Sequence, residues 1–228
     1  MAFKDRSEAG RLLATRLSAY ANRPDVVVLA LPRGGVPVAF EVAQALNAPL
    51  DVFVVRKLGV PGHEELAMGA IATNGVRVIN NDVVLALGIS AQEIDRVAEM
   101  EQKELERREH AYRGNQPALN VKGRTVIVVD DGLATGASMR AAIAALRQMQ
   151  PQRIVVAVPT AAVETCQQFR DEVDEIVCAT TPQPFYSVGL SYENFSQTTD
   201  AEVHTLLAQS ANRFGLPQDQ GQDGAALL

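Results

Sequence analysis

Five short segments of strand length, rich in apolar residues, recur along the chain and constrain its fold more than any other feature of the sequence. They occupy residues 26–31, 50–55, 125–129, 153–158 and 173–178. Residues 26–31 are apolar throughout, which is typical of a strand that is buried on both faces of a parallel sheet. Stretches of helical periodicity follow three of the five segments, at 38–46, 137–149 and 161–170. The alternation predicts an α/β fold, a Rossmann-like parallel sheet with helices on both faces.

The remaining segments predict what surrounds this sheet. Helices are expected at 4–21 and 200–212, and a long charged helix at 90–113 opens with a capping box from Ser90 to Glu93. The long helix has few apolar positions, which favours a solvated helix over one packed against a partner. The other expectations are a strand at 75–80, a helix or strand at 83–87, a mobile loop at 56–73, a small C-terminal hood at 181–192, a domain over 1–214 and a disordered tail at 215–228.

Composition argues against several classes of function. The net charge of -6 gives no electrostatic reason to bind nucleic acid, because such proteins carry an excess of Lys and Arg. The three histidines are scattered and the two cysteines form no CxxC pair, so no dedicated zinc site is expected. Cys178 ends an apolar run and is interpreted as a small core residue rather than a nucleophile. No signal peptide or membrane-length apolar run is present, so a cytoplasmic protein without a membrane partner is expected.

The segment 125–138 carries the most chemical information. An apolar strand delivers two adjacent carboxylates, Asp130 and Asp131, to its C-terminal end, where open α/β sheets bind ligands. A loop of small residues then opens a helix, whose first amides are unpaired and attract an anion. Thr135 and Ser138 add hydroxyl donors, and Gly136 lets the backbone approach a ligand closely. The pattern suits a ligand with a phosphate on one side and vicinal hydroxyls on the other, as in a 5-phosphoribosyl group.

Over 126–138 the segment resembles the motif with which type I phosphoribosyltransferases bind 5-phosphoribosyl 1-pyrophosphate (PRPP). The resemblance implies that Asp130 and Asp131 hold the ribose hydroxyls. It also implies a loop that cradles the 5-phosphate, formed by Leu133, Ala134, Thr135, Gly136, Ala137 and Ser138. Gly132 departs from the family pattern, in which a bulkier apolar residue is usual. Taken alone, the segment also fits an acidic strand-to-helix turn whose hydroxyls only cap the helix.

A second segment, 31–36, resembles the family's pyrophosphate-binding loop. The resemblance implies that Arg33, Gly34 and Gly35 bind the pyrophosphate. A cis peptide often precedes the basic residue in that loop, which would be the bond between Pro32 and Arg33 here. By itself the segment fits an ordinary strand-to-helix turn equally well.

A third segment, the pair Arg56-Lys57 after the second apolar run, resembles the basic pair that several family members place beside the pyrophosphate. A guanidinium binds phosphate oxygens bidentately, and an ammonium neutralises their charge. Without the other two segments, a solvated basic pair would be the better interpretation. The loop at 56–73 is interpreted as the family's flexible loop, which closes over the site and shields an oxocarbenium-like centre from water.

The whole order from 3 to 214 resembles a stand-alone bacterial and archaeal group of predicted phosphoribosyltransferases. It implies transfer of the 5-phosphoribosyl group from PRPP to an unidentified nitrogen acceptor, a nucleobase being one candidate, with release of pyrophosphate. The residues expected to carry catalysis are Asp130, Asp131, Arg33 and Lys57. Mg²⁺ is expected as cofactor, bound mainly through PRPP, with Asp130 and Asp131 as candidate ligands. The expected partners are PRPP, a small-molecule acceptor and a second copy in a homodimer.

Two questions stay open at the level of sequence. In the hood, Phe185, Tyr186 or Tyr192 either stacks on a planar acceptor ring or packs the C-terminal segment. The alternative function is a regulatory protein that senses PRPP or a nucleotide without catalysis. A hydrolase or phosphatase acting on phosphorylated sugars ranks last, because the DxDx(T/V) spacing of haloacid dehalogenases is absent.

Overall fold

The computed structural model describes residues 2–214, and the predicted disordered tail at 215–228 lies outside the described residues. Within them the strands are β1 (Val26–Ala30), β2 (Leu50–Val52), β3 (Val55–Val60), β4 (His63–Ala72), β5 (Val76–Ile79), β6 (Thr125–Val129), β7 (Arg153–Thr160) and β8 (Glu175–Thr180). The α-helices are α1 (Arg6–Arg16), α2 (Gly35–Leu46), α3 (Asn81–Leu87), α4 (Ala91–Arg113), α5 (Ala137–Gln148), α6 (Val163–Gln168) and α7 (Asp200–Phe214).

The five apolar runs contribute the strands of one parallel sheet, in the order β2-β1-β6-β7-β8. This confirms the predicted fold class. Every residue of β1 and β6 is buried, because these strands lie inside a sheet that is covered on both faces. The register pairs Ala30 with Val129. The turns that follow β1 and β6 therefore meet at the same edge of the sheet.

Two hydrophobic clusters explain why β1 is apolar at every position. Successive side chains of a strand point to opposite faces, so β1 sends Val28 into one cluster and Leu29 into the other. The first cluster lies under α1, α2, α4 and α7, and the second under α5, with Phe169 after α6. Burying a side chain such as Val or Leu contributes roughly 1.5–3 kcal/mol. The sheet is thus anchored from both sides, and its C-terminal edge is left for a site.

The predicted loop over 56–73 is wrong, because β3 and β4 form an antiparallel hairpin there. With β5 they make a second, three-stranded sheet. The residues that suggested a loop, Pro61 and Gly62, are only the turn at the tip of the hairpin. Leu58 and Met68 are fully buried and anchor it. The strand expected at 75–80 is confirmed as β5.

The apolar run at 50–55 is divided between the two sheets instead of forming one strand. Val54 N donates to Thr73 Oγ1 at 2.9 Å, and Thr73 N donates back to the Val54 carbonyl at 2.9 Å. These bonds pass the chain from β2 to β3. Apolar residues lie on both sides of the change, so the sequence pattern does not mark it.

The long charged helix is confirmed as α4, including its capping box. Ser90 Oγ accepts from Glu93 N at 3.2 Å, and Glu93 Oε2 accepts from Ser90 N at 2.9 Å. The interpretation as a merely solvated helix is wrong. Ala98, Leu105 and Tyr112 are buried and recur every seven residues, a narrow apolar stripe that faces the rest of the protein. One face of α4 therefore packs against the protein and can form a wall of a site at the sheet edge.

The hood is irregular, as predicted, apart from a 3₁₀ turn at Val188–Ser191. Phe3 forms an isolated bridge to Tyr192, and the two ring centroids lie 5.6 Å apart. The N-terminal segment therefore holds the hood against the sheet. Cys178 is not a free core thiol, because it forms a disulfide with Cys166 of α6.

Candidate active site

The acidic pair lies at the C-terminal end of β6. Asp130 Oδ1 accepts a hydrogen bond from Asp131 N at 2.8 Å, while Asp131 Oδ2 accepts from Arg6 Nε at 2.9 Å. Tyr192 donates its hydroxyl to the backbone carbonyl of Asp131 at 2.5 Å. The two carboxylates therefore differ in role: Asp130 borders an open cavity, and Asp131 carries an ion pair.

The different surroundings of Asp130 and Asp131 affect the pKa of each carboxyl. Burial raises the pKa of Asp130 well above its usual range, and the charge of Asp131 adds to the rise. Burial also raises the pKa of Asp131, but Arg6 opposes that shift. Two adjacent, partly buried carboxylates resist ionising together unless a cation or hydrogen-bond donors compensate. A ligand that brings hydroxyl donors or a cation to Asp130 would be favoured here.

The turn after β1 lies directly against the acidic pair. A Cβ on Gly34 would lie 2.1 Å from Asp131 Oδ2, and one on Gly35 would lie 2.7 Å from the Val129 carbonyl. Only glycine fits at this approach. The peptide between Pro32 and Arg33 is cis, as the family resemblance implies. Predicted ligand segments that are about a hundred residues apart in sequence are thus adjacent in space.

The side chain of Arg33 is held elsewhere in this structure. Its NH1 lies 3.4 Å from Asp200 Oδ1, at the start of α7. Side-chain exposures of 35% and 43% mean that water screens this ion pair strongly. The Asp130 cavity is bordered by Pro32 at this point. Contact between Arg33 and a ligand in the cavity would require this ion pair to open.

The loop 133–138 presents the amino end of α5 to solvent. Ala134, Thr135, Ala137 and Ser138 are exposed, whereas Leu133 is buried and attaches the loop to β7 through Thr160. Gly136 caps α5 in the left-handed region (φ 74°) and supplies no side-chain acceptor to the first turn. Apart from a long hydrogen bond of 3.5 Å from Ala137 N to Thr135 Oγ1, no side-chain cap from residues 2–214 is formed at this turn, so its amides are available to an anion.

Gly132, the departure from the family pattern, has a packing explanation. A Cβ at this position would lie 2.4 Å from Val188 Cγ1 in the hood. The Val188 side chain occupies the space in which a bulkier residue would lie. In this chain the Val188 side chain, rather than a side chain at position 132, fills this volume, and no polar group is lost.

A cavity of about 640 Å³ opens beside Asp130 and Ser138. The hairpin contributes Arg56 and Lys57 to its lining, and α4 forms the facing wall. Arg56 Nε is paired with Glu101 Oε2 of α4 at 2.6 Å. Lys57 is exposed and forms no salt bridge within residues 2–214. Four predicted site residues from two distant segments thus border one space.

Phe185 lies outside that space. It is half-buried and lines a separate cavity of about 480 Å³ in the hood, beside the 78% exposed Tyr186. Tyr192 is buried, and its ring centroid lies 5.1 Å from that of Phe195. Tyr192 is therefore a packing residue, which decides one of the alternatives left open by the sequence.

Sequence reasoning assigned no role to Arg6, although it lies in the N-terminal segment of the family resemblance. The Arg6 guanidinium contacts Asp131, donates to the Ser196 carbonyl at 2.7 Å and lies 4.0 Å from the centre of the Phe195 ring. No spacing in the sequence connects residue 6 to residue 131. Only the position of α1 across the sheet edge reveals the contact.

Two further properties of residues 2–214 concern metals and membranes. In this range no three His, Cys, Asp or Glu side chains are grouped as a metal site. None of the described helices is both long enough and apolar enough to cross a bilayer.

The fold and site together define a class of protein: a parallel α/β sheet whose edge carries a carboxylate pair, a glycine turn and an exposed helix amino terminus. A model of the phosphoribosyl transferase domain family matches residues 4–181. The chain therefore belongs to the phosphoribosyltransferase family.

Individual relatives agree with this assignment. Two Mycobacterium tuberculosis proteins, each named "Putative phosphoribosyl transferase", are 47% identical over 212 residues, covering 93% of this chain and 48% of theirs. The chain thus spans about half the length of the curated relatives it matches. A crystal structure of TT1426 from Thermus thermophilus is 41% identical, with a TM-score of 0.81, covering 92% of this chain and 99% of that one.

Proposed function

We propose that residues 1–214 form a domain that binds PRPP with Mg²⁺ and transfers its 5-phosphoribosyl group to a nitrogen acceptor. The observation that carries the proposal is the shared position of Asp130, Ser138 and Lys57 on one cavity at the sheet edge. The carboxylates would bind the ribose hydroxyls, and the amino end of α5 would bind the 5-phosphate. A nucleobase is one candidate acceptor.

The proposed reaction breaks the bond between ribose C1 and pyrophosphate oxygen and forms a bond from C1 to the acceptor nitrogen. The nitrogen loses a proton, and pyrophosphate leaves. The protein would supply position and charge rather than a covalent nucleophile. Lys57 would neutralise the leaving group, and the hairpin with α4 would limit access of water to the charged C1 centre.

The acidic pair also fits the proposed cation. Mg²⁺ prefers one or two carboxylates together with substrate phosphates and waters. Asp130 is the candidate ligand, because its carboxyl borders the cavity while Asp131 is paired with Arg6. When bound, the cation would neutralise the pyrophosphate charge. The raised pKa of Asp130 is expected of a carboxyl that has no cationic side chain of residues 2–214 in direct contact with it.

The alternative is a sensor that binds PRPP or a nucleotide without turnover. It uses the same phosphate loop, so binding alone does not distinguish the two functions. Pyrophosphate release, measured with PRPP across a panel of nucleobases and other nitrogen acceptors, does. Release that depends on one acceptor supports the transferase, whereas tight PRPP binding without release for any acceptor supports the sensor.

A further inference from the structure

The wall that α4 contributes to the cavity carries positive charge that the proposed roles do not use. Arg96, Met100 and Arg108 of α4 line the same cavity as Asp130 and Lys57. With a rise of 1.5 Å per residue, Arg96 and Arg108 are about 18 Å apart along the helix. The two arginines therefore cannot bind the same phosphate group.

Arg108 is the guanidinium nearer the turn after β1. Burial raises the pKa of the Tyr112 phenol and Asp200 adds to the rise, while Arg108, Arg33 and Arg107 oppose it. These charged groups thus lie around one phenol, at the corner where α4, α7 and the turn after β1 meet. Arg33 is the residue that the family resemblance places beside the pyrophosphate. Arg108 lies at the same corner.

Arg107 and Arg108 both donate hydrogen bonds to the Glu104 carboxylate, but through different nitrogens. Arg107 binds Glu104 through both Nε and NH2, at 2.8 and 3.0 Å. Arg108 binds it through Nε alone at 2.7 Å, so its two terminal nitrogens are left to other partners. Arg108 is 34% exposed and borders the cavity, while Arg107 is 60% exposed and does not.

We propose that Arg108 is a further ligand of the diphosphate, reaching it from α4 across the cavity from Lys57. The inference rests on the proposed function, since it assumes that a diphosphate enters this cavity. A guanidinium whose two terminal nitrogens face a phosphate binds it bidentately, which an ammonium cannot do. The long charged helix thereby becomes part of the substrate site.

The two arginines supply a matched test, because each substitution breaks a bond to Glu104 and only one changes the cavity. Calorimetry with Mg²⁺-pyrophosphate would compare Arg108→Gln and Arg107→Gln with the wild-type chain. The dissociation constant is expected to rise roughly tenfold or more in Arg108→Gln, as for loss of a hydrogen bond to a charged group. Arg107→Gln should change it by less than about twofold. Arg108→Lys should lie between, because it keeps the charge without the fork.

Ribose 5-phosphate is the control ligand, since it fits the 5-phosphate loop but has no diphosphate. Its affinity should be equal in all the variants, which also shows that Arg108→Gln folds. Equal effects of the two glutamine variants on pyrophosphate binding would overturn the inference, as would an unchanged affinity in Arg108→Gln. If the wild type and Arg108→Gln bind PRPP equally well, this inference alone is refuted. Wild-type protein that binds no PRPP refutes the proposed function as well.

Discussion

Arg6 and Asp131 are joined by an ion pair that ties the first helix to the acidic pair of the site. Nε and NH2 of Arg6 both lie 2.9 Å from Asp131 Oδ2, and the side chains are 11% and 16% exposed. The same guanidinium covers the Phe195 ring at 4.0 Å. One residue of α1 thus orients a proposed ribose ligand and packs the segment after the hood. It is a positioning residue, with consequences for stability and for binding.

Removal of the Arg6 charge should therefore destabilise the protein. Arg6→Gln leaves the Asp131 carboxylate largely buried without its partner, which we expect to cost about 3 kcal/mol in the free energy of unfolding. Urea unfolding measures this cost. Arg11→Gln on the same helix is the control, because Arg11 is 59% exposed and its pair with Glu41 should contribute less than about 1 kcal/mol. Similar losses in both variants would show that the Arg6 pair is only a surface contact.

Asp130 should lower stability at neutral pH. Its pKa is raised in the folded state, so between the unfolded value near 4 and the folded value the folded protein binds more protons than the unfolded one. The contribution of Asp130 to stability therefore falls as pH rises through this range. Asp130→Asn removes the ionisation and keeps an oxygen for the Asp131 amide. At pH 7 the variant should be more stable than wild type by more than about 0.5 kcal/mol, beyond the range of ordinary surface changes.

Denaturant unfolding between about pH 4 and 8 tests the sign of this pH dependence of stability. The advantage of Asp130→Asn should shrink towards the acid end of this range, where wild-type Asp130 is protonated in the folded state. The same variant should bind PRPP more weakly, because it loses a charged acceptor for the ribose hydroxyls. A variant that is less stable than wild type at neutral pH and more stable in acid would contradict the burial of an unneutralised carboxyl at this position.

Gly34→Ala should weaken ligand binding and also destabilise the fold, because it breaks the contact between Asp131 and Arg6. The new Cβ would lie 2.1 Å from Asp131 Oδ2, so the carboxylate must move from its contact with Arg6. We expect PRPP affinity to fall roughly tenfold or more, the effect of one lost charged hydrogen bond. Gly123→Ala is the control: it strains a residue with φ 69° and meets no atom within 4 Å. It should lower the melting temperature and leave PRPP affinity unchanged. Wild-type affinity in Gly34→Ala would place the ribose elsewhere.

The hairpin should respond to PRPP at its tip rather than along its whole length. The strands are paired, but their register is irregular around Gly59, which allows the outer part to bend. Hydrogen exchange over residues 58–66 should slow when PRPP and Mg²⁺ are added, while exchange in β6 stays the same. Lys57→Ala should reduce pyrophosphate release at least about tenfold if Lys57 neutralises the leaving group. Unchanged exchange together with unchanged turnover in Lys57→Ala would remove the hairpin from the mechanism.

The central sheet and the acidic strand end could be predicted because their signals are local. A strand buried on both faces is apolar throughout, and Asp130 and Asp131 follow such a strand directly. Family resemblance then placed the other segments in order. The hairpin was not predicted, because its turn residues and short apolar anchors resemble those of a loop. The break between β2 and β3 was missed because apolar residues surround it.

The contacts that Arg6 and Arg108 make at the site could not be predicted from the sequence. Arg6 reaches Asp131 because α1 crosses the sheet edge, and nothing in the spacing between them indicates it. Arg108 lines the cavity because a narrow stripe, Leu105 and Tyr112 among its members, turns that face of α4 inward. In a helix this rich in charge, the stripe was too sparse to distinguish from chance. Helix placement is a tertiary property, and so are the roles that depend on it.

The most direct test of PRPP binding at the acidic pair is the melting temperature of the whole chain as PRPP is raised through the millimolar range with Mg²⁺. A ligand that binds only the folded state stabilises it by about 2.7 kcal/mol at a hundred times its Kd. For a chain of 228 residues this corresponds to a rise of roughly 5–10 °C. We predict such a rise for the wild type and none for the double variant Asp130→Asn, Asp131→Asn. A wild-type melting temperature that PRPP leaves unchanged, or an equal rise in the double variant, would contradict the account.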